Sequence, residues 1–383
     1  MHVVFRESHG LEDSETPYDP GQTPADLVVL SFSDSDLGAF AAGWHRGGGA
    51  EGKLPTLRLC NLTALRHPAS VDNYVEQTLT GAKGILIRLI GGENYWPYGI
   101  MQVQDFARRN DIALAILPAD GREDPALDQH STLPVSTLRR LSHLCDAGGA
   151  VAAQAALAQL ALAAGFYAGP VTGTKTVPTA GYYDPDRGIV SICPRSTLDD
   201  LPLVAVTFYR SYLTAADTAP VDALIRELRA KGFNALGLFV PSLKNPDGRA
   251  FLDQALADHA PAAIVNATAF SGRGADGTSP LDAPGCPVFQ VALSTARQKE
   301  WASSERGLSP TDLAMHVVLP EVDGRIFSGV VSFKAPEKKD PYLQYSRFSH
   351  RANALRIKAV VERIAGWHRL AATPTADRKL ALV

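Results

Sequence analysis

Short runs of apolar, often β-branched residues alternate along the chain with longer segments in which apolar residues recur every three or four positions. The first pattern predicts buried strands and the second predicts amphipathic helices. The clearest run is 203–208, which precedes a polar loop, 209–218. A helix then begins near Pro220, with apolar residues at i, i+3, i+4 and i+7 from Val221. This order of strand, loop and helix predicts the first half of a βαβ unit.

Two series of such units follow one another along the chain. The first has predicted strands at 26–30, 54–59, 84–90 and 112–117, and the second at 203–208, 235–240, 262–266, 287–292 and 326–333. Repeated alternation of strands and helices is typical of parallel sheets covered by helices. The sequence therefore predicts an α/β protein with two successive Rossmann-like or flavodoxin-like parallel-sheet domains and a helical connection between them.

We expect four regions in the chain. They are an N-terminal α/β domain with a helical end at 1–167, an irregular connection rich in Gly, Pro, Thr and Tyr at 168–200, a second α/β domain at 201–350, and a helix that leads into a further domain at 351–383. The apolar residues 379–383 have the pattern of a strand start. Pattern alone leaves open whether this is an edge strand at a natural terminus or the beginning of a truncated domain.

Composition narrows the possible partners. The 383 residues carry a net charge of −3 and are 20% charged and 45% hydrophobic, as in an ordinary soluble globular protein. This charge gives no basic field for nucleic acid or an anionic membrane, and no apolar run reaches the roughly 18 residues of a membrane span. The cysteines lack Cys-x-x-Cys spacing, which favours free thiols in a reducing cytoplasm over disulfides or a zinc site; they are Cys60, Cys145, Cys193 and Cys286.

Two glycine-rich stretches resemble phosphate-binding motifs only superficially. Gly272–Gly277 matches G-x-G-x-x-G, but other residues separate it from the preceding strand, and 278–284 contains prolines that prevent a helix. The stretch 169–176 is one residue too short for a P-loop, with no strand before it and no helix after it. We therefore expect no ATP site on this chain.

The first group of candidate binding residues follows the third predicted strand. Tyr95, Trp96 and Tyr98 come after Gly91 and Gly92, and aromatic side chains on a loop can stack on a flat ligand. Arg88, at the end of the strand, can pair with a carboxylate. The alternative is that these aromatics close the core of the domain or an interface.

The second group lies in the second predicted domain. Tyr209 and Arg210 end the strand 203–208, and Asn266 ends its neighbour, so these residues are expected at one edge of a parallel sheet, where ligands bind. His350 lies in a basic and aromatic stretch and is a further candidate, although a role at a helix entry is an equal alternative. Glu321 is a weak catalytic candidate, because its turn with Gly324 is ordinary turn chemistry.

Several stretches together resemble the N-terminal part of the large subunit of aerobic cobaltochelatases, the CobN type. They fall in the family's order and extend over nearly all of the chain; they are Gly21–Ser31 with Asp34 and Asp36, Leu54–Leu62, His67–Glu76, Gly91–Gly99, Asp217–Ile225 and Ala314–Ile326. The same superfamily contains the H-type large subunit of magnesium chelatase, which is the nearer alternative.

The resemblance implies ATP-dependent insertion of Co²⁺, as substrate, into hydrogenobyrinic acid a,c-diamide during cobalamin synthesis. It also implies partner subunits of the AAA+ ATPase and integrin-I types, which would carry the ATP and its Mg²⁺. Members of the family are several times longer than this chain. We therefore expect a truncated N-terminal portion that is inactive alone, with its metal-insertion residues mostly elsewhere. Proton removal from the tetrapyrrole would need a carboxylate or histidine, and Glu321 is the local candidate.

Two function classes outside the family remain as alternatives. A free-standing, two-lobed small-molecule binding protein fits the two predicted domains. A two-domain glycosyltransferase fits them as well, but it needs a nucleotide-sugar site at the strand ends of the second domain, and no acidic or basic motif there suits that role.

Overall fold

A computed structural model describes residues 17–119, 123–173, 176–190, 201–274, 276–379 and 381. The fold is α/β, as predicted, and it divides into two compact units. The first unit contains the described residues up to Val177 together with Leu213–Ala216 and Pro336–Ser349. The second contains Pro178–Tyr212, Asp217–Ala335 and the described residues from His350 onward.

The first unit is built on a four-stranded parallel sheet in the order β2-β1-β3-β4. Its elements are β1 (Leu27–Ser31), α1 (Asp34–Arg46), β2 (Leu57–Asn61), α2 (Pro68–Gln77), β3 (Gly84–Leu89), α3 (Pro97–Arg109), β4 (Ala113–Pro118), α4 (Pro125–His130), α5 (Val135–Ala147) and α6 (Gly149–Ala163).

Local sequence signals explain where these helices begin. The Ser33 hydroxyl accepts a hydrogen bond from the Asp36 N–H, which caps α1, and α2 starts with Pro68 in its first turn. One hydrophobic cluster packs α1, α5 and α6 on the sheet, and a second packs α2 and α3. The sheet is therefore covered on both faces, which is why β1, β3 and β4 are buried along their whole length.

A segment distant in sequence completes the first core. Within 336–349, Leu343 is fully buried in the cluster that contains α1, and the Gln22 side-chain amide donates to the Gln344 carbonyl oxygen at 3.2 Å. His45 on α1 contacts the Asp340 carboxylate at 2.5 Å. Sequence periodicity cannot reveal such a segment, because residues 337–347 form no helix or extended strand.

The second unit contains an eight-stranded sheet in the order β12-β11-β10-β9-β7-β8-β5-β6. The elements that lie wholly or mostly in this unit are β5 (Gly181–Asp184), β6 (Gly188–Val190), β7 (Leu203–Tyr209), α7 (Arg210–Thr214), α8 (Ala219–Ala230), β8 (Asn234–Val240), α9 (Pro246–His259), β9 (Ala263–Asn266), β10 (Val288–Ser294), α10 (Gln298–Ser303), α11 (Pro310–Leu313), a π-helical turn (Ala314–Val318), α12 (Leu319–Val322), β11 (Ile326–Pro336), β12 (Phe348–Ala352) and α13 (Ala354–Ala372).

The large sheet is mixed rather than wholly parallel. Strands β7 to β11 run parallel to one another, whereas β5 is antiparallel to both β6 and β8. The hairpin β5–β6 lies inside 168–200, which the sequence predicts to be irregular. The strand β12 was also not predicted. Both are short strands whose formation depends on pairing with a neighbour rather than on a long apolar run.

The helix α13 packs within the second unit. The ring of Trp367 meets Phe289 edge-on at 5.9 Å, and Glu362 pairs with Lys231, at the end of α8, at 2.5 Å. The sequence pattern predicts a separate region, 351–383, that contains this helix. The strand predicted at 379–383 lies largely outside the described residues. Among the described residues, no helix combines the length and apolarity needed to cross a bilayer.

Candidate functional site

A fully buried polar network joins three central strands of the second unit. Asn266, which ends β9, accepts hydrogen bonds from the Thr207 hydroxyl of β7 at 2.6 Å and from the Thr268 hydroxyl at 2.9 Å. Its amide nitrogen donates to Gln290 of β10 at 2.6 Å, and Gln290 in turn donates to the Thr268 carbonyl at 2.7 Å. Both polar atoms of the Asn266 side chain are therefore engaged, so this predicted binding residue fixes strand ends.

The second unit also contains a group of six titratable side chains, each more than nine-tenths buried. We call it the buried polar cluster; its members are Tyr212, Asp217, Asp312, His316, Lys334 and His350. They come from the connections that follow β7 and β10 and from β11 and β12. Ligands of parallel sheets bind beyond the carboxyl ends of the strands, and several perturbed titratable groups together mark a functional-site candidate.

Asp312 anchors the connection after β10. Its carboxylate accepts hydrogen bonds from the Ser294 hydroxyl at 2.8 Å, the Thr295 N–H at 2.9 Å and the Thr295 hydroxyl at 3.0 Å. The sequence signal for this arrangement is a helix start, because Ser309 caps α11 and Pro310 occupies its first turn. The carboxylate thus ties the start of the helical segment to the end of β10.

His350 ties β12 to the rest of the cluster. Its backbone N–H donates to the Asp217 carboxylate at 2.8 Å, its Nδ1 lies 3.1 Å from the Ser332 hydroxyl, and its ring meets Tyr212 edge-on at 5.7 Å. Burial, followed by the electrostatic interactions with Lys334 and His316, lowers the pKa of His350 well below its ordinary value. The imidazole is therefore neutral at pH 7.

His316 occupies the π-helical turn, a rare conformation that is frequent at functional sites. It is 3% exposed, and its Nδ1 has no hydrogen-bond partner among the described residues. Burial lowers the pKa of His316, and the nearby Asp312 carboxylate partly opposes that shift. The cluster thus contains two neutral histidines beside buried carboxyl groups and an amine.

We predict that acid destabilises the second unit through these two histidines. Their pKa values in the folded chain lie below the ordinary 6.5. Above pH 6.5 neither state binds the protons, so the effect vanishes. As the pH falls from 6.5 through the lowered folded values, only the unfolded state is protonated, and stability falls by up to about 1.4 kcal/mol per pH unit for each histidine. Urea unfolding between pH 7.5 and 5 measures how the free energy of unfolding depends on pH. This dependence should be weaker in the double variant His316→Gln, His350→Gln. An unchanged dependence would contradict the prediction.

The other residues predicted in the second unit occupy different environments. Tyr209 is buried; its hydroxyl donates to the Ala269 carbonyl at 2.6 Å, and burial raises the pKa of the phenol to about 12. Arg210 is half-buried and donates to the Pro178 carbonyl at 2.9 Å. Glu321 is exposed on α12, and its turn precedes β11 rather than following the carboxyl end of a strand.

In the first unit, Arg88 is buried on β3 and is committed to internal partners. Its guanidinium contacts Asp146 at 2.7 Å and Asp36 at 3.4 Å and donates to the Pro118 carbonyl at 3.2 Å. Burial alone would lower the pKa of Arg88, but the carboxylates outweigh burial and raise it. The paired guanidinium stabilises the carboxyl edge of the sheet.

The three predicted aromatics after β3 differ in exposure. The Trp96 indole is 5% exposed and donates to the Leu65 carbonyl at 2.8 Å, so it belongs to the core. Tyr98 is half-buried and donates its hydroxyl to Asp72 at 2.7 Å. Tyr95 is 49% exposed and meets Phe32 edge-on at 6.2 Å. Of the three, Tyr95 alone keeps a largely exposed ring for stacking.

Sequence reasoning named His350 in the buried polar cluster and missed the other five members. Asp217 and His316 lie within two of the stretches that resemble the family, and this resemblance could have identified them as candidates. Among the described residues, no group of three or more His, Cys, Asp or Glu could hold a metal ion. The described part of the connection between β9 and β10, which contains Gly272–Gly277, has no helix.

The chain is similar to known proteins in both sequence and structure. The family description "CobN/Magnesium Chelatase" matches residues 146–383, more than half of the chain. An aerobic cobaltochelatase protein, CobN from Sinorhizobium sp., is 34% identical over 100% of this chain and 31% of its own length. The CobN protein of Pseudomonas aeruginosa is 32% identical over the same shares. The chain therefore spans about a third of the length of these curated relatives.

More distant relatives come from magnesium chelatases and from solved structures. The H-type large subunit of magnesium chelatase from Rhodobacter capsulatus is 27% identical over 54% of this chain and 19% of its own length. The solved catalytic subunit of cobaltochelatase from Mycobacterium tuberculosis superposes with a TM-score of 0.60 and 24% identity, over 93% of this chain and 28% of that chain. At this identity the structural likeness shows a shared fold.

Proposed function

The chain belongs to the CobN/magnesium chelatase family, and on that premise we propose that it is a portion of a cobaltochelatase large subunit. The reaction is the insertion of Co²⁺, as substrate, into hydrogenobyrinic acid a,c-diamide during aerobic cobalamin synthesis in the cytoplasm. One observation supports cobalt over magnesium as the metal. Relatives named CobN align with the whole chain, whereas the magnesium-chelatase relative from Rhodobacter capsulatus aligns with about half of it.

The proposed division of labour places ATP on other subunits. AAA+ ATPase and integrin-I-type subunits bind ATP with its Mg²⁺ and drive the insertion, and this chain contributes scaffold to the substrate cleft. Each unit offers its own candidate contact for a tetrapyrrole, namely the exposed ring of Tyr95 in the first unit and the carboxyl edge of the large sheet, near Tyr209, in the second. Aromatic stacking suits the flat macrocycle, and arginines such as Arg210 suit its carboxylate substituents.

Metal insertion also requires proton removal from the tetrapyrrole nitrogens. The exposed carboxylate of Glu321 is the candidate acceptor on this chain. We assign the main metal-insertion residues to the rest of the subunit, so the chain alone is expected to be inactive.

A replacement experiment tests the function. This chain is substituted for the matching third of the Sinorhizobium sp. protein, and the hybrid is combined with the partner subunits and ATP. We expect Co²⁺ insertion within about tenfold of the parent protein, which corresponds to about 1.4 kcal/mol of activation free energy. Absorbance of the cobalt product measures the rate, and the 383-residue chain alone is the control, with no insertion expected.

The choice of metal and tetrapyrrole by the hybrid can contradict the cobalt assignment. The same hybrid is offered Mg²⁺ and protoporphyrin IX, the substrates of the alternative assignment. Insertion of Mg²⁺ without insertion of Co²⁺ would transfer the assignment to the magnesium chelatase type. A free-standing binding protein would instead be supported if the chain alone bound an unrelated small ligand tightly and no hybrid inserted either metal.

A further inference from the structure

The helical segment between β10 and β11 has its polarity reversed. Across α11, the π-helical turn and α12, Asp312 and His316 are buried, at 0% and 3% exposure. Apolar side chains of the same segment are exposed to solvent; we call them the outer face, and they are Leu313 at 43%, Val318 at 50%, Leu319 at 37% and Val322 at 72% exposure. A surface helix ordinarily buries its apolar stripe and exposes its polar one.

The π-helical turn helps to assemble this face. A π-helix has i to i+5 hydrogen bonds, so residues five apart come close to the same side of the axis. Leu313 and Val318 are five apart across the turn Ala314–Val318, and Val318 and Val322 are four apart. The three side chains therefore continue one another along the segment as an apolar stripe.

A second, independent feature adds to the same surface. Phe270 has a backbone φ of 66°, in the left-handed region that a bulky side chain rarely adopts, and its ring is 40% exposed. Its N–H donates to the Met315 carbonyl at 2.8 Å, which holds the loop after β9 against the π-helical turn. The fold thus accepts backbone strain, of order 1–3 kcal/mol, to hold an exposed aromatic ring beside this segment.

We propose that the outer face and Phe270 form a docking surface for another part of the same large subunit. The surface is contiguous along the segment and apolar, which is typical of permanently buried interfaces, whereas surfaces that bind partners transiently are more polar. This chain spans 31% of the length of each CobN relative, so a protein of that type has ample further polypeptide to cover the surface. The inference rests on the proposed function because it requires that longer protein.

Cysteine labelling tests the proposal without measuring metal insertion. Val322→Cys lies on the outer face, and Leu355→Cys, on α13, is a matched control with an 82% exposed apolar side chain. In the 383-residue chain both cysteines should react with maleimide at similar rates. In the hybrid protein, Val322→Cys should react at least about tenfold more slowly, because a buried thiol reacts only through local opening. Leu355→Cys should change less than about twofold. Peptide mass spectrometry separates these sites from the natural cysteines.

Each other outcome overturns the proposal. Equal labelling of Val322→Cys in the chain and in the hybrid means that the surface stays free. Protection that appears only after the ATPase subunits or a tetrapyrrole are added assigns the surface to them, and concentration-dependent protection in the isolated chain assigns it to a second copy.

The Tm of a double variant of the isolated chain tests the proposal even if the hybrid fails to fold. Val318→Asp with Val322→Asp should leave the Tm of the chain unchanged, because both side chains are already exposed; a clear loss would show that they pack within this chain. Neither readout depends on cobalt insertion, so failure of the docking surface and failure of the proposed reaction are distinguishable.

Discussion

Replacing Asp323 with alanine is expected to lower the free energy of unfolding by about 3–5 kcal/mol, because it removes one partner of a buried ion pair. The side chains of Asp323 and Arg325 are 0% and 2% exposed, and the Arg325 guanidinium donates to the carboxylate at 3.0 Å. The carboxylate also accepts the Gly272 N–H and the Ser271 hydroxyl, each at 2.7 Å. Alanine would leave these donors without their acceptor.

Asp323 is the main counter-charge of the arginine. Burial lowers the pKa of Arg325, and the Asp323 charge is the first of the interactions that oppose this. The Nη1 atom of Arg325 already lacks a partner among the described residues. Without Asp323 the guanidinium must either remain buried without its main counter-charge or pull the turn before β11 open.

Urea unfolding of paired variants measures the effect. Asp276→Ala removes an exposed carboxylate from the same connection after β9, where it pairs with Arg249, and should lower the free energy of unfolding far less than Asp323→Ala does. The double variant Asp323→Leu, Arg325→Met should recover the part of the loss that comes from the unpaired guanidinium, since an apolar pair can replace a buried ion pair, but not the part from the Gly272 and Ser271 donors. The interpretation fails if Asp323→Ala costs no more than Asp276→Ala.

This ion pair gives the stretch around Glu321 a role that its sequence did not reveal. Asp-Gly at 323–324 has the pattern of ordinary turn chemistry, and from the sequence Glu321 is only a weak catalytic candidate. In the fold, Asp323 anchors the turn to the Ser271–Gly272 loop, and Glu321 is left at the surface. The buried Asp323 therefore fixes the turn that carries the exposed Glu321.

The sequence predicted the parallel strands well because each carries its own signal. The largely apolar runs of β1, β3, β4 and β7 are buried from both sides, so composition and burial agree closely. The hairpin β5–β6 carried no such signal. It has strands of four and three residues, and Tyr182 and Tyr183 become strand residues because they pair with β8.

The buried polar cluster was hidden for a different reason. Asp217, Asp312 and Lys334 are single polar residues in separate segments, and they are brought into one unit by the order of β7, β10 and β11 in the sheet. Local sequence reasoning could place a strand end at Asn266 but could not say which distant residues surround it. Arg88 shows the same limit at a single residue. The sequence suggests that Arg88 contacts a ligand, but in the fold it pairs with Asp146, which lies 58 residues away.

Replacing a glycine of α1 with alanine is expected to change the stability of the fold. The sign of this change depends on which atoms lie opposite the glycine. Gly43 faces the backbone of α6: an added Cβ would lie 2.6 Å from the Gln154 nitrogen and 2.9 Å from the Ala150 oxygen. Backbone atoms of a packed helix cannot swing aside, so Gly43→Ala must push the two helices apart. Overpacking of this kind costs about 1–3 kcal/mol, which outweighs the roughly 1 kcal/mol that alanine gains over glycine inside a helix.

Gly38, on the same helix, is the matched control, since an added Cβ there would meet the Arg347 side chain, with its Nε at 3.0 Å. A flexible arginine can move by a few tenths of an ångström, so Gly38→Ala should range from no change to a gain of about 0.5–1 kcal/mol from helix propensity. Thermal unfolding of both variants, followed by circular dichroism, compares the two sites within one element. Equal effects would mean that helix propensity alone governs α1; a loss confined to Gly43→Ala identifies close approach of α1 and α6 as the constraint that only glycine meets at this position.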